Sequence, residues 1–80
     1  MPTVARVGPY RFFFFSDERN EPHHVHVRRD RSTAKFWLGP VVLAASSGFS
    51  GPDLNEIRRI VRAREREFME AWDDHFGRSR

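Results

Sequence analysis

The chain has no cysteine among its 80 residues. This absence excludes disulfide bonds, cysteine nucleophiles and zinc sites held by thiolates. Long hydrophobic runs are also missing, since no apolar stretch approaches the roughly 18 residues that indicate a membrane-spanning helix. The first residues do not show the charged and then apolar segments of a secretion signal. We therefore expect a soluble cytoplasmic protein with no membrane association.

Lysine is scarce as well. Lys35 is the only one, so 13 of the 14 basic residues are arginine, whose planar guanidinium suits phosphate and carboxylate groups. The 11 acidic residues limit the net charge to +3. A net positive charge this small does not by itself establish a nucleic-acid partner. Binding of nucleic acid would therefore depend on where the arginines are placed.

Short apolar segments separated by breakers predict a sheet in the first half of the chain. The pairs Gly8-Pro9 and Gly39-Pro40 and the polar stretches 16–22 and 30–32 divide it. The segments between them alternate in polarity or are rich in β-branched and aromatic residues, which predicts strands at 1–7, 10–15, 23–29 and 33–38. Residues 41–45 form either a last strand or a buried turn.

Helical signals follow from Ser50 onward. Ser50 with Asp53 three residues later approximates a capping box, and Gly77 is a plausible C-cap. Residues 78–80 are expected to fray. Apolar residues recur at helical spacing between the two caps, at Leu54, Ile57, Val61, Phe68, Trp72 and Phe76.

The length of this helix sets a packing problem. An unbroken helix over 53–76 would be about 36 Å long, which exceeds the roughly 25 Å diameter of a compact domain of this size. The last two turns therefore either bend at the polar gap of Arg64 and Glu65 or project. We predict an α+β fold, a small antiparallel sheet of three to five strands followed by one long C-terminal helix packed on one face. Residues 1–80 form a single domain, with the sheet in 1–45 and the helix in 50–77.

Four consecutive phenylalanines, at 12–15, place aromatic rings on both sides of one strand. A strand that is apolar on both faces normally needs cover on both sides. In a domain this small, a second copy of the chain could supply the second cover, so we expect a homodimer.

The stretch 21–29, which reads E-P-H-H-V-H-V-R-R, carries the strongest functional signal. Because strand side chains alternate, Val25 and Val27 point one way and His24, His26 and Arg28 the other. Two imidazoles and a guanidinium are costly to bury without partners. We therefore expect these three side chains to emerge together and meet solvent.

A metal site is one interpretation of the histidines. His24 and His26 are two positions apart on one strand face, but zinc requires a third ligand. No spacing rule selects that ligand among Asp17, Glu21, Asp30 and His75. We therefore assign neither a metal nor a cofactor.

Two other interpretations involve phosphate groups, and whether the protein is an enzyme stays open between them. In the first, the histidines act as general base and acid on a phosphodiester that an arginine holds. In the second, a set of cationic groups and one aromatic ring bind the phosphates and stack a base without chemistry. That set consists of Arg28, Arg29, Arg31, Lys35 and Trp37. A small phosphorylated ligand such as a nucleotide would use the same groups.

Five short motifs in order along the chain resemble a small bacterial family of domains of unknown function. Its members often carry E-P-x-H-[VI]-H-[VI] followed by A-K-[FIV]-W-L, which correspond to 21–27 and 34–38 of this chain. The other three motifs are G-P-Y-R-F-F-F at 8–14, G-F-S at 48–50 and A-W at 71–72. One departure is Gly39, where an acidic residue is frequent in the family.

The resemblance implies a function and a set of site residues. Members of this family are often encoded beside another small domain, as candidate toxin–antitoxin pairs, which implies a cognate antitoxin-like partner. The matching positions are Glu21, His24 and His26 as candidate catalytic residues, with Lys35 and Trp37 beside them. Our leading hypothesis is a toxin–antitoxin-type protein that acts on RNA or binds nucleic acid through the His24, His26 and Arg28 face. The alternative is a non-catalytic, homodimeric binding module for a nucleotide or a protein partner.

Overall fold

A computed structural model of the protein describes residues 3–77. Five strands precede two helices, so the fold is α+β as predicted. The strands are β1 (Thr3–Val7), β2 (Tyr10–Phe13), β3 (His24–Arg29), β4 (Ser32–Trp37) and β5 (Val42–Ser47), and the helices are α1 (Gly51–Ala63) and α2 (Glu65–Phe76). The first two residues of the first predicted strand and the predicted frayed tail at 78–80 lie outside the described residues.

The sheet is an antiparallel meander in which each strand pairs with the next, in the order β1-β2-β3-β4-β5. Two of the connections are two-residue turns, Gly8-Pro9 and Asp30-Arg31. Gly8 and Asp30 have φ of 57° and 55°, the positive values that tight hairpin turns require. The predicted hairpin between 23–29 and 33–38 is confirmed, and the segment after Gly39-Pro40 is a strand rather than a turn.

One face of the sheet carries the core. Val25 and Val27 of β3 point toward the helices and are fully buried. Ile57 and Val61 of α1 pack on the same face as Phe68 of α2, which shows the apolar stripe predicted for the helix. The buried core comprises Tyr10, Phe12, Phe14, Val25, Val27, Ala34, Phe36, Leu38, Val41, Ile57, Val61, Phe68 and Trp72.

The helical region divides at Arg64, so the prediction of one long helix is wrong. Arg64 has φ −113° and ψ 15°, and its N–H is shared between the carbonyls of Ile60 and Val61 at 3.1 and 3.2 Å. Such sharing is common where a helix ends. The break coincides with the polar gap in the apolar stripe, and it lets the apolar residues of α2 reach the core instead of projecting. Within residues 3–77, no helix is long and apolar enough to cross a membrane.

Both predicted helix caps are confirmed. The Ser50 hydroxyl accepts a hydrogen bond from the Asp53 N–H at 3.2 Å and begins α1. Gly77 follows the last residue of α2 with φ 85°, which a residue without a Cβ adopts most readily.

The run of four phenylalanines has cover on both sides within one chain. Phe12 and Phe14 are fully buried in the core. Phe13 points to the opposite side, where the Arg11 guanidinium lies 4.8 Å above its ring and the rings of Phe15 and His26 lie beside it. The sequence argument for a second copy at this position therefore loses its premise, and homodimerisation stays a prediction.

Candidate functional site

Within residues 3–77, the helices pack on one face of the sheet and reach the other only at its His24 end, through Trp72. The rest of that second face carries mainly basic, aromatic and polar side chains. We call this the uncovered face and define it by Arg11, Phe13, His26, Arg28, Thr33, Lys35, Trp37, Ala45 and Ser47. Strand register aligns these residues in rows across β2, β3, β4 and β5. One row runs from Arg11 through Arg28 and Thr33 to Ser47, and the next from Phe13 through His26 and Lys35 to Ala45.

Aromatic rings hold several of the polar groups in place. The Phe13 ring stacks on the His26 imidazole with centroids 5.5 Å apart. The Lys35 ammonium lies 4.4 Å from the centroid of the Trp37 ring, a distance typical of a cation–π contact. The Arg28 guanidinium is oriented by a 2.8 Å hydrogen bond from its Nε–H to the Asp30 carbonyl. The face therefore presents ordered cations next to π surfaces.

A shallow cavity of about 260 Å³ lies on this face. Its lining residues are His26, Thr33, Ala34, Lys35, Ala45, Ser46 and Ser47. Ammonium and hydroxyl groups donate hydrogen bonds, which phosphate oxygens can accept.

His24 is on the same side of β3 as His26 but is fully buried. The Trp72 ring of α2 meets it edge-on at 4.7 Å, and the Trp37 ring does so at 5.5 Å. His24 therefore lies at the covered end of the strand, whereas Arg28 at the other end is exposed. The alternation of side chains along β3 places His24, His26 and Arg28 on one side of the sheet, as expected. His24, however, is not exposed to solvent.

A carboxylate from the 14–23 loop joins the two imidazoles. The loop turns through hydrogen bonds from the Glu18 N–H to the Phe15 carbonyl and from the Glu21 N–H to the Glu18 carbonyl. This turn brings the Glu18 Oε1 atom to 2.8 Å from the Nε2 atoms of both His24 and His26. The other nitrogen of His24, Nδ1, lies 2.9 Å from the Pro22 carbonyl oxygen. We call Glu18, His24 and His26 the Glu-His-His cluster.

The electrostatics of the cluster favour an ionised carboxylate beside a neutral imidazole. Burial raises the pKa of the Glu18 carboxyl, but the hydrogen bonds with His24 and His26 outweigh it, so the pKa lies below its ordinary value. Burial lowers the pKa of the His26 imidazole, and the contact with Glu18 only partly offsets this effect.

Three of the sequence-predicted residues lie close to the cluster without belonging to it. The exposed Glu21 carboxylate pairs with the Lys35 ammonium at 2.8 Å, and it is 3.8 Å from His24 Nδ1. Trp37 separates Lys35 from His24, since its ring contacts both. These positions make Glu21 and Trp37 neighbours of the cluster, and Lys35 a cation on the uncovered face.

The predicted arginines divide between the two faces. Arg28 lies on the uncovered face, and Arg31 is exposed in the turn after β3. Arg29 points to the helix side, where its guanidinium pairs with Asp53 at 2.9 Å and lies over the rings of Tyr10 and Phe49. Arg29 therefore does not share a surface with Arg28.

Sequence reasoning missed Glu18, Arg11 and Phe13. Glu18 is one acidic residue in a polar loop, and no spacing rule relates it to the histidines, because the turn of the loop decides which carboxylate reaches them. Arg11 and Phe13 do alternate with the core residue Phe12, so their shared face with His26 follows once the pairing of β2 with β3 is known. The alternation of side chains along β2 was the sequence signal that could have placed Arg11 and Phe13 on this face.

The chain belongs to the DUF4160 family, a domain of unknown function whose family model matches residues 10–73. The match extends from the start of β2 into α2 and includes the Glu-His-His cluster. No curated protein matches the chain. No solved structure matches it either.

Proposed function

We propose that this protein acts on RNA as one component of a toxin–antitoxin-type pair, and that it binds a single-stranded segment across the uncovered face. The observation that carries the proposal is the placement of Arg11, Arg28 and Lys35 beside the half-buried ring of Trp37 on the side of the sheet opposite the helical core. Phe13 is buried beneath Arg11 and supports this surface from below. Proteins that hold single-stranded nucleic acid combine cations that contact phosphates with aromatic rings that stack on bases. The resemblance of the sequence motifs adds the toxin–antitoxin context.

A two-histidine mechanism of RNA cleavage has less support than binding. A general acid or base must come within hydrogen-bond reach of the proton it transfers. His24 is fully buried, whereas 14% of the His26 side chain is exposed. A catalytic form of the function therefore rests on His26, with Glu18 and His24 holding its ring.

The binding proposal is tested by fluorescence anisotropy with a labelled single-stranded RNA at several salt concentrations. The triple variant Arg11→Gln, Arg28→Gln and Lys35→Gln should bind at least tenfold more weakly at low salt. Its slope of log affinity against log salt should be smaller by about 2, since each phosphate contact on a single strand contributes about 0.7.

The matched control removes the same charge from the helices. Arg59, Arg62 and Arg66 are exposed on α1 and α2, away from the uncovered face, and their replacement by Gln should leave affinity and slope nearly unchanged. Equal losses in the two triple variants would mean that net charge rather than the uncovered face attracts RNA, and the proposal would be wrong.

The catalytic form has its own test. Purified wild-type protein and the His26→Ala variant are incubated with RNA, and the products are separated by size. Cleavage by the wild type alone supports His26 as a catalytic residue. Equal cleavage by both proteins, or none by either, removes the catalytic form and leaves binding.

The toxin–antitoxin context is tested by induced expression in a bacterial host. We expect expression of the wild type to slow growth, and co-expression of the protein encoded beside it to restore growth. The triple variant of the uncovered face should be less toxic at equal protein level. Normal growth with well-expressed wild type would contradict a toxin role.

A nucleotide is the second candidate ligand, because the cavity beside His26 and Lys35 is also lined by Thr33 and Ser47, which share the uncovered face with them. Its volume of about 260 Å³ suits a phosphate or a single base better than an extended strand. Calorimetry with nucleoside mono- and triphosphates separates the two functions. Micromolar binding of a free nucleotide, together with weak RNA binding, would favour the second.

A further inference from the structure

We infer that the Glu-His-His cluster binds one divalent transition-metal ion through Glu18 Oε1, His24 Nε2 and His26 Nε2. These three atoms lie within 4.8 Å of one another, and both Nε2 atoms are 2.8 Å from Oε1. In a tetrahedral site with bonds of about 2.0–2.1 Å, ligand atoms lie about 3.4 Å apart. Coordination of one ion would therefore require Glu18 Oε1 to move outward by about half an ångström, and the two Nε2 atoms, which lie within 4.8 Å of each other, to stand about 3.4 Å apart.

The surroundings of His24 are those of a histidine prepared to bind a metal. Its Nδ1–H donates a hydrogen bond to the Pro22 carbonyl, because a carbonyl oxygen can only accept. This bond fixes the tautomer in which the Nε2 lone pair points at Glu18 and His26. Histidines that bind metals usually donate their other ring N–H to a backbone carbonyl or a carboxylate in this way.

The donors and acceptors of the cluster suit a bound cation. With Nδ1–H committed to Pro22, a neutral His24 presents a lone pair to the Glu18 carboxylate oxygen only 2.8 Å away. Two acceptors at this distance repel each other unless a proton or a cation lies between them. A metal ion would satisfy Glu18 and both imidazoles at once.

The ligand set indicates which ions would fit. Two imidazoles and one carboxylate match zinc sites and non-haem iron(II) sites, whereas Ca²⁺ and Mg²⁺ prefer sites made of oxygen ligands. The rings of Trp37 and Trp72 enclose the His24 end, while Glu18 and His26 are 17% and 14% exposed. Solvent therefore reaches one side of the cluster, which leaves a position open for water or for a phosphate oxygen.

The inference goes beyond the proposed function, and its test uses no RNA. Protein freed of metal with a chelator is titrated with Zn²⁺ by calorimetry. We expect one ion per chain, and an affinity reduced at least 100-fold by Glu18→Gln and by His26→Gln. Circular dichroism checks that each variant is folded, and Glu18→Asp, which keeps the carboxylate, should retain more affinity than Glu18→Gln.

Two control variants remove similar groups close by. Glu21→Gln removes the neighbouring carboxylate, and His75→Gln removes an exposed imidazole whose Nε2 lies 3.4 Å from the Ser16 hydroxyl. Both variants should bind Zn²⁺ within threefold of the wild type. Absence of saturable binding in the wild type, or an equal loss in cluster and control variants, would overturn the inference and leave a buried imidazolium–carboxylate pair as the explanation of the 2.8 Å contacts.

Tryptophan fluorescence supplies a second measurement. Both tryptophans of the chain, Trp37 and Trp72, contact His24. Co²⁺ bound in the cluster should therefore quench most of the emission and show visible ligand-field bands, and Zn²⁺ should reverse both effects by displacing Co²⁺. Co²⁺ binding without quenching would place the ion elsewhere and contradict the inference.

Discussion

The two faces of the sheet are built in different ways. On the helix side, Val25, Val27 and Phe36 follow the alternation of their strands and meet apolar residues of the helices. On the uncovered face, the same alternation brings His26 and Lys35 together, but the partner that organises the histidines comes from a loop. Alternation along a strand decides which side chains share a face, whereas the path of a loop decides which of them form a site.

Two adjacent arginines show the same division at short range. Arg29 is fixed on the helix side by Asp53, and Arg28 remains exposed on the other side with its Nε–H bonded to a turn carbonyl. Substitutions on the helix side should therefore affect stability first, and substitutions on the uncovered face should affect binding first.

The largest expected effect comes from removing a core ring. Phe36→Ala in β4 should lower the free energy of unfolding by about 3–5 kcal/mol, because it leaves a cavity in a fully buried position. Urea denaturation measures the loss. Lys35→Ala, one residue away on the uncovered face, is the matched control and should cost about 1 kcal/mol or less. Comparable losses would mean that the two faces do not differ in the way described.

The next effect tests the cluster as a structural element in the absence of metal. Glu18→Ala leaves the buried His24 without its carboxylate partner and should cost about 1–3 kcal/mol with a chelator present. Glu21→Ala removes an exposed carboxylate paired with Lys35 and should cost no more than about 1 kcal/mol. If both variants unfold at the same urea concentration, the contacts of Glu18 do not stabilise the fold.

A smaller effect is expected from the cap of the helix that covers the core. Ser50→Ala removes the acceptor of the Asp53 N–H and should lower stability by about 1 kcal/mol, whereas Ser50→Gly should cost only a few tenths. Thermal unfolding of the two variants side by side measures the difference. A larger loss for the glycine variant would show that backbone freedom, rather than the hydroxyl, sets the start of α1.

The smallest effect separates Arg29 from Arg28 by its dependence on pH. The hydrogen bond from Arg29 holds the pKa of Asp53 below its ordinary 3.8. A depressed folded-state pKa stabilises the protein above the unfolded-state pKa, and this contribution is lost as the pH falls through the folded-state value. Arg29→Gln should therefore destabilise slightly at neutral pH, and its difference from wild type should shrink below about pH 4.

Arg28→Gln is the control for this pH series. Its stability should stay within about 0.5 kcal/mol of the wild type at every pH, since its side chain is exposed. A pH-independent effect of Arg29→Gln would show that the guanidinium contributes through its contacts with Tyr10 and Phe49 rather than through Asp53.

Much of the fold follows from local patterns. Alternation indicates the strands and their faces, the breaker pairs indicate the turns, and Ser50 and Gly77 mark the ends of the helical region. The division at Arg64 was only partly predictable. The polar gap shows where a helix can bend, but the choice between bending and projecting depends on whether Phe68 and Trp72 find the core.

The site was less predictable because it combines segments through tertiary contacts. The alternation of side chains along β3 can be predicted from that strand alone, and it correctly places His24 and His26 on the same side. The burial of His24 depends on Trp72, which is far away in the chain and arrives with α2. The third member of the cluster depends on the turn of the 14–23 loop, which selects Glu18 over Asp17 and Glu21 for reasons of backbone geometry.

Each strand of the sheet pairs with the next one along the chain, and this order has a consequence for how the protein folds. Hairpins close short loops at a modest entropy cost, and chains dominated by local pairings cross the folding barrier quickly. The 14–23 loop is the longest connection within the sheet, so β2 should join after the hairpin of β3 and β4 has formed. Both imidazoles would then be in register before the carboxylate reaches them. An interaction completed after the transition state mainly slows unfolding, so a bound ion should lengthen the lifetime of the native state more than it speeds refolding.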